Sequence, residues 1–395
     1  MSKRNFAILI AVLTAVIAGI WLLNRFYLNP PPPPLPEKEF VDRLLGGSSV
    51  KVKPPKEVQV ILTGDIMLSR NVGSAIKKAA NPDLPFEKLK AYLHSSDLNF
   101  GNLESPFSGS NYITPSGSLV FNVPPEYIKG LKNFNFQILS LANNHALDQG
   151  KQGLAYTKQL LSDNGIAGIG AGGNPEEAWQ PAEMTIKNTK LCFIAASYAS
   201  VNDGGKFDNG LVARTDDLET LKSVIGQMKT NGCNIIIAGQ HAGTEYTHVP
   251  NQAQIDFAHA AIDAGANVVV GHHPHWVQPV EKYCPKAYEH PPLTSPIKGG
   301  ENSSSSLPLV GRVREGETQC GLIFYSLGNF IFDQEWSQKT KEGLTVRLTI
   351  KDKQLESAEL VPIMIENYCC ARLADEKETL QILRDINATS TNIKL

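Results

Sequence analysis

Most of the features that would give a function away at once are missing. Lysine and arginine total 37 against 39 aspartates and glutamates, a formal net charge of −2 over 395 residues. There is no basic excess of the kind a nucleic-acid surface needs, so no nucleic-acid partner is expected. Cysteine is sparse. Cys192, Cys233, Cys284, Cys320, Cys369 and Cys370 form no CxxC pair and no zinc-ribbon spacing, which excludes a structural zinc site built on thiolates. Cys192 and Cys233 fall in or beside strand-like runs and read as buried thiols. The N-terminus lacks a small-residue cleavage site: the apolar stretch runs straight into "NRFYLNPPPPP".

That stretch, "FAILIAVLTAVIAGIWLL" from Phe6 to Leu23, carries no charge and follows the basic "MSKRN". As a helix it would reach about 27 Å, close to the hydrocarbon core of a bilayer. The apolar region of a secretory signal is usually only about 7–15 residues long. Residues 1–28 are therefore expected to form a cytoplasmic tip and one transmembrane helix, with a cleaved signal peptide as the alternative. Lys3 and Arg4 favour a cytoplasmic N-terminus, and Trp21 and Tyr27 suit the far interface, although Arg25 on the outer flank opposes that orientation. The expected location is the cell membrane, single-pass, with the body extracytoplasmic. Residues 29–56 read as a proline-rich linker, in which "PPPPLP" (Pro31 to Pro36) is a stiff spacer.

The folded body is expected over residues 57–395. Strand candidates are 58–63, 136–142, 191–197, 234–239, 267–271 and 322–328; helix candidates are 151–164, 216–230 and 251–264. Unbroken β-branched runs predict strands buried on both faces, as in a layered α/β domain. "GLTVRLTIK" and "SAELVPIMI" alternate and predict an antiparallel pair, and 375–388 a closing helix. Residues 289–317 are rich in Pro, Gly and Ser without a period, which predicts a disordered insertion. Cys284 and Cys320 bracket it, either as a disulfide at its base or as two free thiols.

Chemistry-bearing residues recur where apolar runs end. Asp65 follows "VQVILT". Asn102 and Glu104 follow "SSDLNFG", and Asn143, Asn144, His145 and Asp148 follow "FQILSL". His241 and Glu245 follow "NIIIA", "GHHPH" follows "NVVV", and Asn329 follows "LIFYSLG". Strand ends of α/β sheets form one rim where ligands bind, so these clusters can converge. Singly, most have ordinary readings: Gly64-Asp65 as a turn or helix cap, "ANNH" as a turn, His241 as a satisfied histidine. "GHHPH" is different, because it concentrates three of nine histidines in five positions. In an extended segment His273 and His275 face one way and His272 the other, with Pro274 stiffening the backbone between them.

Asp65, Glu104, an asparagine and three or four histidines make a mixed nitrogen and oxygen donor set. It suits one or two divalent ions (Mn, Fe or Zn), and such sets hold paired cations about 3.5–4 Å apart. His145, oriented by Asp148, is the candidate general acid. Asn102, Asn143, Glu245 and Asn329 are candidate substrate contacts.

With "GDIML", "DLNFGNLESP", "LANNHALDQG", "HAGTEY", "GHHPHWVQPVE" and "FYSLGNFIFDQ" in order, the chain resembles the CapA family of capsule and poly-γ-glutamate synthesis proteins. Their fold is similar to calcineurin-like metallophosphoesterases. The resemblance covers roughly Val58 to Gln334 and implies a four-layer α-β-β-α sandwich with its site at the strand ends. It implies metal ligation by Asp65, Asn144, His241, His273 and His275, with His145 as the partner of Asn144. Two departures stand out. Met67 occupies the position where the phosphoesterase pattern carries a histidine, and the Asn102/Glu104 segment replaces its Gly-Asp motif, so Glu104 would supply the bridging carboxylate. The resemblance also implies membrane tethering and a role with poly-γ-glutamate or another anionic envelope polymer. That role is either a metal-dependent hydrolase or transferase, or a non-catalytic binding or export component beside synthase subunits. A generic extracellular nucleotidase would call for a second substrate domain, for which the chain has little room.

Overall fold

The apolar runs do form strands, and the chain divides them between two sheets. The structure, a computed structural model, describes residues 57–199, 201, 210–285, 320–386 and 392–394. The expected anchor (1–28), linker (29–56) and insertion (289–317) lie outside the described residues. Among the described residues no helix is long and apolar enough to cross a membrane.

The chain first lays down β1 (Glu57–Ile66), β2 (Leu98–Leu103), β3 (Phe136–Ser140) and β4 (Ala167–Ile169). It then forms β5 (Ala182–Ile186), β6 (Thr189–Ser197), β7 (Ile235–His241), β8 (Val268–His272), β9 (Val280–Tyr283) and β10 (Gly321–Phe324). It returns as β11 (Asn329–Ile331), β12 (Glu342–Lys351), β13 (Gln354–Glu366), β14 (Cys370–Leu373) and β15 (Asn392–Lys394). The first sheet has the order β14-β13-β12-β1-β2-β3-β4, with β11 beside β1 and β15 beside β13. The second has the order β5-β6-β7-β8-β10-β9. β1 to β4 are mutually parallel, as are β6, β7, β8 and β10. The expected pair β12 and β13 is antiparallel.

The result is a mixed α/β sandwich. One apolar cluster fills the space between the sheets, where Phe100 of β2 stacks on Phe193 of β6 with centroids 5.6 Å apart. The outer face of the second sheet carries Ile236, Ala238, Val269 and Ile323. It is covered by α3 (Leu218–Thr230) and α4 (Gln252–Ala264), whose Leu221, Ile225, Phe257 and Ala261 are buried against it. Burial on both faces is why these strands read as unbroken apolar runs. Each large side chain so buried contributes about 1.5–3 kcal/mol of transfer free energy. α4 starts with a capping box between Asn251 and Gln254 and ends at Gly265, which takes φ 114°. α1 (Arg70–Ala79), α2 (Gly150–Asp163) and α5 (Glu376–Asp385) complete the helices of ten residues or more among the described residues.

The structure corrects several readings. Cys192 and Cys233 are not thiols but a disulfide, joining β6 to the turn two residues before β7, and Cys284 and Cys320 are also bonded. Two cysteines that lie far apart in sequence become neighbours once β6 and β7 pair. The run 322–328 stops as a strand at Phe324, and the chain then crosses to the first sheet, where Asn329 lies opposite Asp65. The closing helix is shorter than 375–388 and ends at Asp385. β2 and α1 escaped the sequence reading: Asn99, Gly101 and Asn102 interrupt β2, and only Val72 and Ile76 mark the buried apolar face of α1.

Candidate metal centre

The ends of β1, β2, β3, β7 and β8 meet where the two sheets face each other. Asp65 sits within β1 rather than in a turn after it, at a shift of register with β2. The glycine before it is required by packing: a Cβ on Gly64 would lie 2.0 Å from the Gly328 carbonyl oxygen. That contact lets the Asp65 N–H donate to Gly328 at 3.0 Å and seats Asn329 beside the site. Gly271 plays the same part in β8, where a Cβ would meet the Tyr325 oxygen at 1.9 Å.

His273 and His275 converge, but not by strand alternation. β8 ends at His272, and both following histidines have left-handed backbones, φ 97° and 58°. A turn around Pro274, not a pleat, brings the two rings to a centroid distance of 6.2 Å. Non-glycine residues rarely hold such angles, and they cluster where a site demands them. The Nε2 of His272 is occupied by the Thr63 carbonyl, to which it donates at 3.0 Å.

Around the centre, Oδ1 of Asp65 accepts from Nδ2 of Asn102 at 2.8 Å, and Oδ2 accepts the His273 N–H at 3.2 Å. Oδ1 of Asn102 accepts from Nδ2 of Asn143 at 3.1 Å, and Oδ1 of Asn143 accepts the His145 N–H. His241 places Nε2 2.7 Å from Oδ1 of Asn144 and Nδ1 3.2 Å from Nδ2 of Asn102. His145 donates from Nδ1 to Asp148 at 2.8 Å, and His275 donates from Nδ1 to Asn329 at 2.9 Å. With Nδ1 so engaged, each ring in its neutral form presents an Nε2 lone pair. Both Nε2 atoms lie 3.9 Å from Oε1 of Glu104, which is wholly buried and accepts no hydrogen bond. With Glu104 ionised and both rings neutral, three acceptor atoms face one another with no donor between them. A cation between Glu104 and His275 would relieve that arrangement and leave the His145 Nε2 free to exchange a proton.

The electrostatics agree. Burial, followed by the charges of Asp65 and Glu245, pushes the Glu104 carboxyl well above its usual range. Burial alone would raise Asp65 too, but the close His275 ring and the nearby His272 and His241 outweigh it and hold Asp65 below the normal carboxylate range. Burial, then the neighbouring His275, lowers His273 to about 3; burial, then His273, puts His241 well below the ordinary imidazole value. His241 and His273 are therefore neutral and able to act as ligands. Asp65, Glu104 and His241 each offer a donor atom within 4.8 Å of the others. Glu183, Cys192 and Cys233 are grouped as closely, but those two sulfurs are spent on the disulfide.

The pattern of the family described as bacterial capsule synthesis protein PGA_cap matches residues 59–334, which include every candidate site residue. The chain belongs to this family. It is 26% identical to the capsule biosynthesis protein CapA of Bacillus anthracis, over 83% of this chain and 72% of that one. It is 28% identical to the PGA biosynthesis protein CapA of Bacillus subtilis strain 168, over 86% of this chain and 80% of that one. Among solved structures, it is similar to the NAD nucleotidase of Haemophilus influenzae, with 12% identity, a TM-score of 0.40, and coverage of 85% of this chain and 57% of that one. A likeness of that size carries no weight for chemistry.

For this member of the PGA_cap family, Asp65, Asn102, Glu104, Asn143, Asn144, His145, His241, His273 and His275 form one buried cluster. Asp148 and Asn329 stand behind it, each holding a histidine. Glu245 is partly exposed at the edge, close enough for its charge to act on Glu104. Sequence reasoning missed the walls. Phe121 stacks on His145 at 4.1 Å, Phe332 packs on His275 at 4.8 Å, and the Arg70 guanidinium contacts both phenyl rings while pairing with Asp333. The signal available was Arg70 itself, a cation five residues after Asp65.

Proposed function

We propose that the chain is a membrane-anchored, extracytoplasmic protein of capsule or poly-γ-glutamate biosynthesis that binds divalent metal and acts on an anionic envelope polymer or a phosphoester. The observation that carries the metal assignment is the orphaned Oε1 of Glu104, faced by two imidazole lone pairs. The buried, unpartnered Nδ1 of His273 adds to it. Asp65, Glu104, Asn144, His241, His273 and His275 would hold one or two ions of Mn, Fe or Zn, a donor set of oxygen and neutral nitrogen that fits such metals. We read the two sheets, with their helices outside, as the four-layer sandwich of metallophosphoesterases.

A bound divalent cation would supply Lewis acidity toward a phosphoryl or carbonyl oxygen. The chain supplies the proton chemistry. Asp148 keeps the His145 proton on Nδ1 and aims Nε2 inward, where it takes or gives a proton at a leaving oxygen. Asn329 does the same orienting work for His275. A second reading, a polymer-binding component without turnover, is favoured by the depth of the centre: His145, the most exposed of the clustered histidines, is only 5% exposed.

Elemental analysis of the purified chain separates these readings, with wild type measured beside His273→Ala and His275→Ala. A panel of phosphodiester and γ-glutamyl substrates accompanies it. Stoichiometric metal and a turnover lost in both variants support the enzyme. Stoichiometric metal without turnover supports the binding component, and a metal-free wild type ends both.

A further inference from the structure

Trp336 is 62% exposed, while Trp179 is buried and Trp276 is largely shielded. An indole in water on a loose loop would mean little, but this one is braced. Its neighbour Glu335 accepts the Tyr368 backbone N–H, and Ser337 accepts the Lys339 N–H at 3.1 Å. The Thr340 hydroxyl donates to the Gln334 carbonyl, and the Thr340 carbonyl accepts from Asn329 at 2.9 Å.

The loop is also wired to the metal centre by two routes. Trp336 meets Tyr246 edge to face at 4.7 Å, and Tyr246 lies over His275 at 6.0 Å with the rings 28° apart. Gln334 donates to the Tyr246 hydroxyl at 3.3 Å and accepts from Asn329 at 3.2 Å, and Asn329 holds His275. Tyr246 keeps a left-handed backbone, φ 61°, to occupy this place. The exposed indole is therefore a rigid extension of the wall around His275.

We propose that Trp336 and Tyr246 form a binding subsite for the repeat unit adjoining the one held at the metal centre, in an amide-linked acidic polymer of the γ-glutamyl type. The proposal rests on the metal-centre reading above. The cation nearest in sequence does not supply the grip on this side. Lys339, the cation nearest Trp336 in sequence, is already paired with Glu342 and Asp385. What the subsite offers is an apolar plane. A γ-linked glutamyl unit suits it, because two methylenes and a planar amide run along the chain while the carboxylate projects to one side. The methylenes and amide would lie on the indole, and a neighbouring carboxylate would reach the cation. One such unit spans roughly 6 Å, since an extended α-peptide residue covers about 3.3–3.6 Å and two more methylenes lengthen it. Each of the two ring contacts, 4.7 Å from Trp336 to Tyr246 and 6.0 Å from Tyr246 to His275, is no longer than about one such unit.

The test uses the full chain in detergent, loaded with Mn²⁺, and titrates a γ-glutamyl decamer into wild type, Trp336→Ala and Trp336→Phe. Calorimetry gives affinity and indole fluorescence reports contact. The alanine variant should bind the decamer at least tenfold more weakly, the phenylalanine variant should keep most of the affinity, and Mn²⁺ affinity should be the same in all three. Equal decamer binding by wild type and alanine variant overturns the proposal, as does a Mn²⁺-loaded wild type that ignores the decamer. Trp336-dependent binding of a uronic-acid oligosaccharide in its place overturns the polymer assignment. Failure of the metal reading shows separately, as no Mn²⁺ uptake by wild type. Decamer binding that still depended on Trp336 would then support the subsite, and binding that did not would end it.

Discussion

Oδ2 of Asp65, near the end of β1, lies 3.5 Å from Nδ1 of His275, which follows β8 in the opposite sheet. This approach ties the two halves of the sandwich together at the centre and depends on the orientation of one imidazole. Asn329 sets that orientation from behind, so Asn329→Ala should weaken Mn²⁺ binding by about 10–100-fold, the usual cost of removing a ligand's supporting partner. Titration calorimetry on the folded variant checks it; unchanged affinity would remove Asn329 from the supporting shell.

Asp148 supports His145 in the same manner, but the pair serves proton transfer. Asp148→Asn should leave metal stoichiometry intact and reduce kcat on any substrate the wild type turns over by roughly 10²-fold or more, the scale of general acid catalysis. Parallel loss of metal would place Asp148 in the ligand shell instead.

Acid should destabilise the metal-free chain well above the carboxylate range. The His273 value falls from 6.5 in the unfolded chain to about 3, with burial the leading cause, so the folded state binds fewer protons. Its stabilisation is fully present above pH 6.5 and is lost as the pH falls toward 3. His241 and His272 shift the same way. Glu104 has the opposite sign: its contribution is present below 4.5 and lost as pH rises. Three histidines outnumber one glutamate, and each titrating group changes stability by about 1.4 kcal/mol per pH unit. Urea midpoints measured in EDTA should therefore drop between pH 7 and pH 5; a flat profile would contradict neutral buried histidines.

The Cys192–Cys233 bond closes a loop across a sequence separation of 41. Chain entropy assigns such a loop about 4 kcal/mol. Replacing both cysteines with alanine should lower the denaturation midpoint in oxidising buffer and abolish about half of its dependence on reductant. The Cys284–Cys320 bond, with a separation of 36, should account for the dependence that remains.

How much of this could be read beforehand differs by element. β1, β3, β6, β7 and β8 were legible because strands buried on both faces need unbroken apolar residues. α2, α3 and α4 were legible from their 3.6-residue period. β2 was not, because its polar residues serve the centre: Asn102 spends its amide on Asp65, Glu104 and His241 instead of on strand patterning. The pair His273 and His275 was noticed for a reason that does not apply, since a left-handed turn and not a pleat aligns the rings.

Local chemistry along the chain, read without coordinates, was enough to determine which side chains carry donor atoms and that they stand at strand ends. Periodicity and residue type are short-range properties, and they survive in one dimension. Which donors share a centre, which stand behind it, and that Cys192 meets Cys233 depended on the crossing of the chain from one sheet to the other and back. Those contacts join residues tens to hundreds of positions apart. They exist only once burial of the apolar faces has brought the two sheets together.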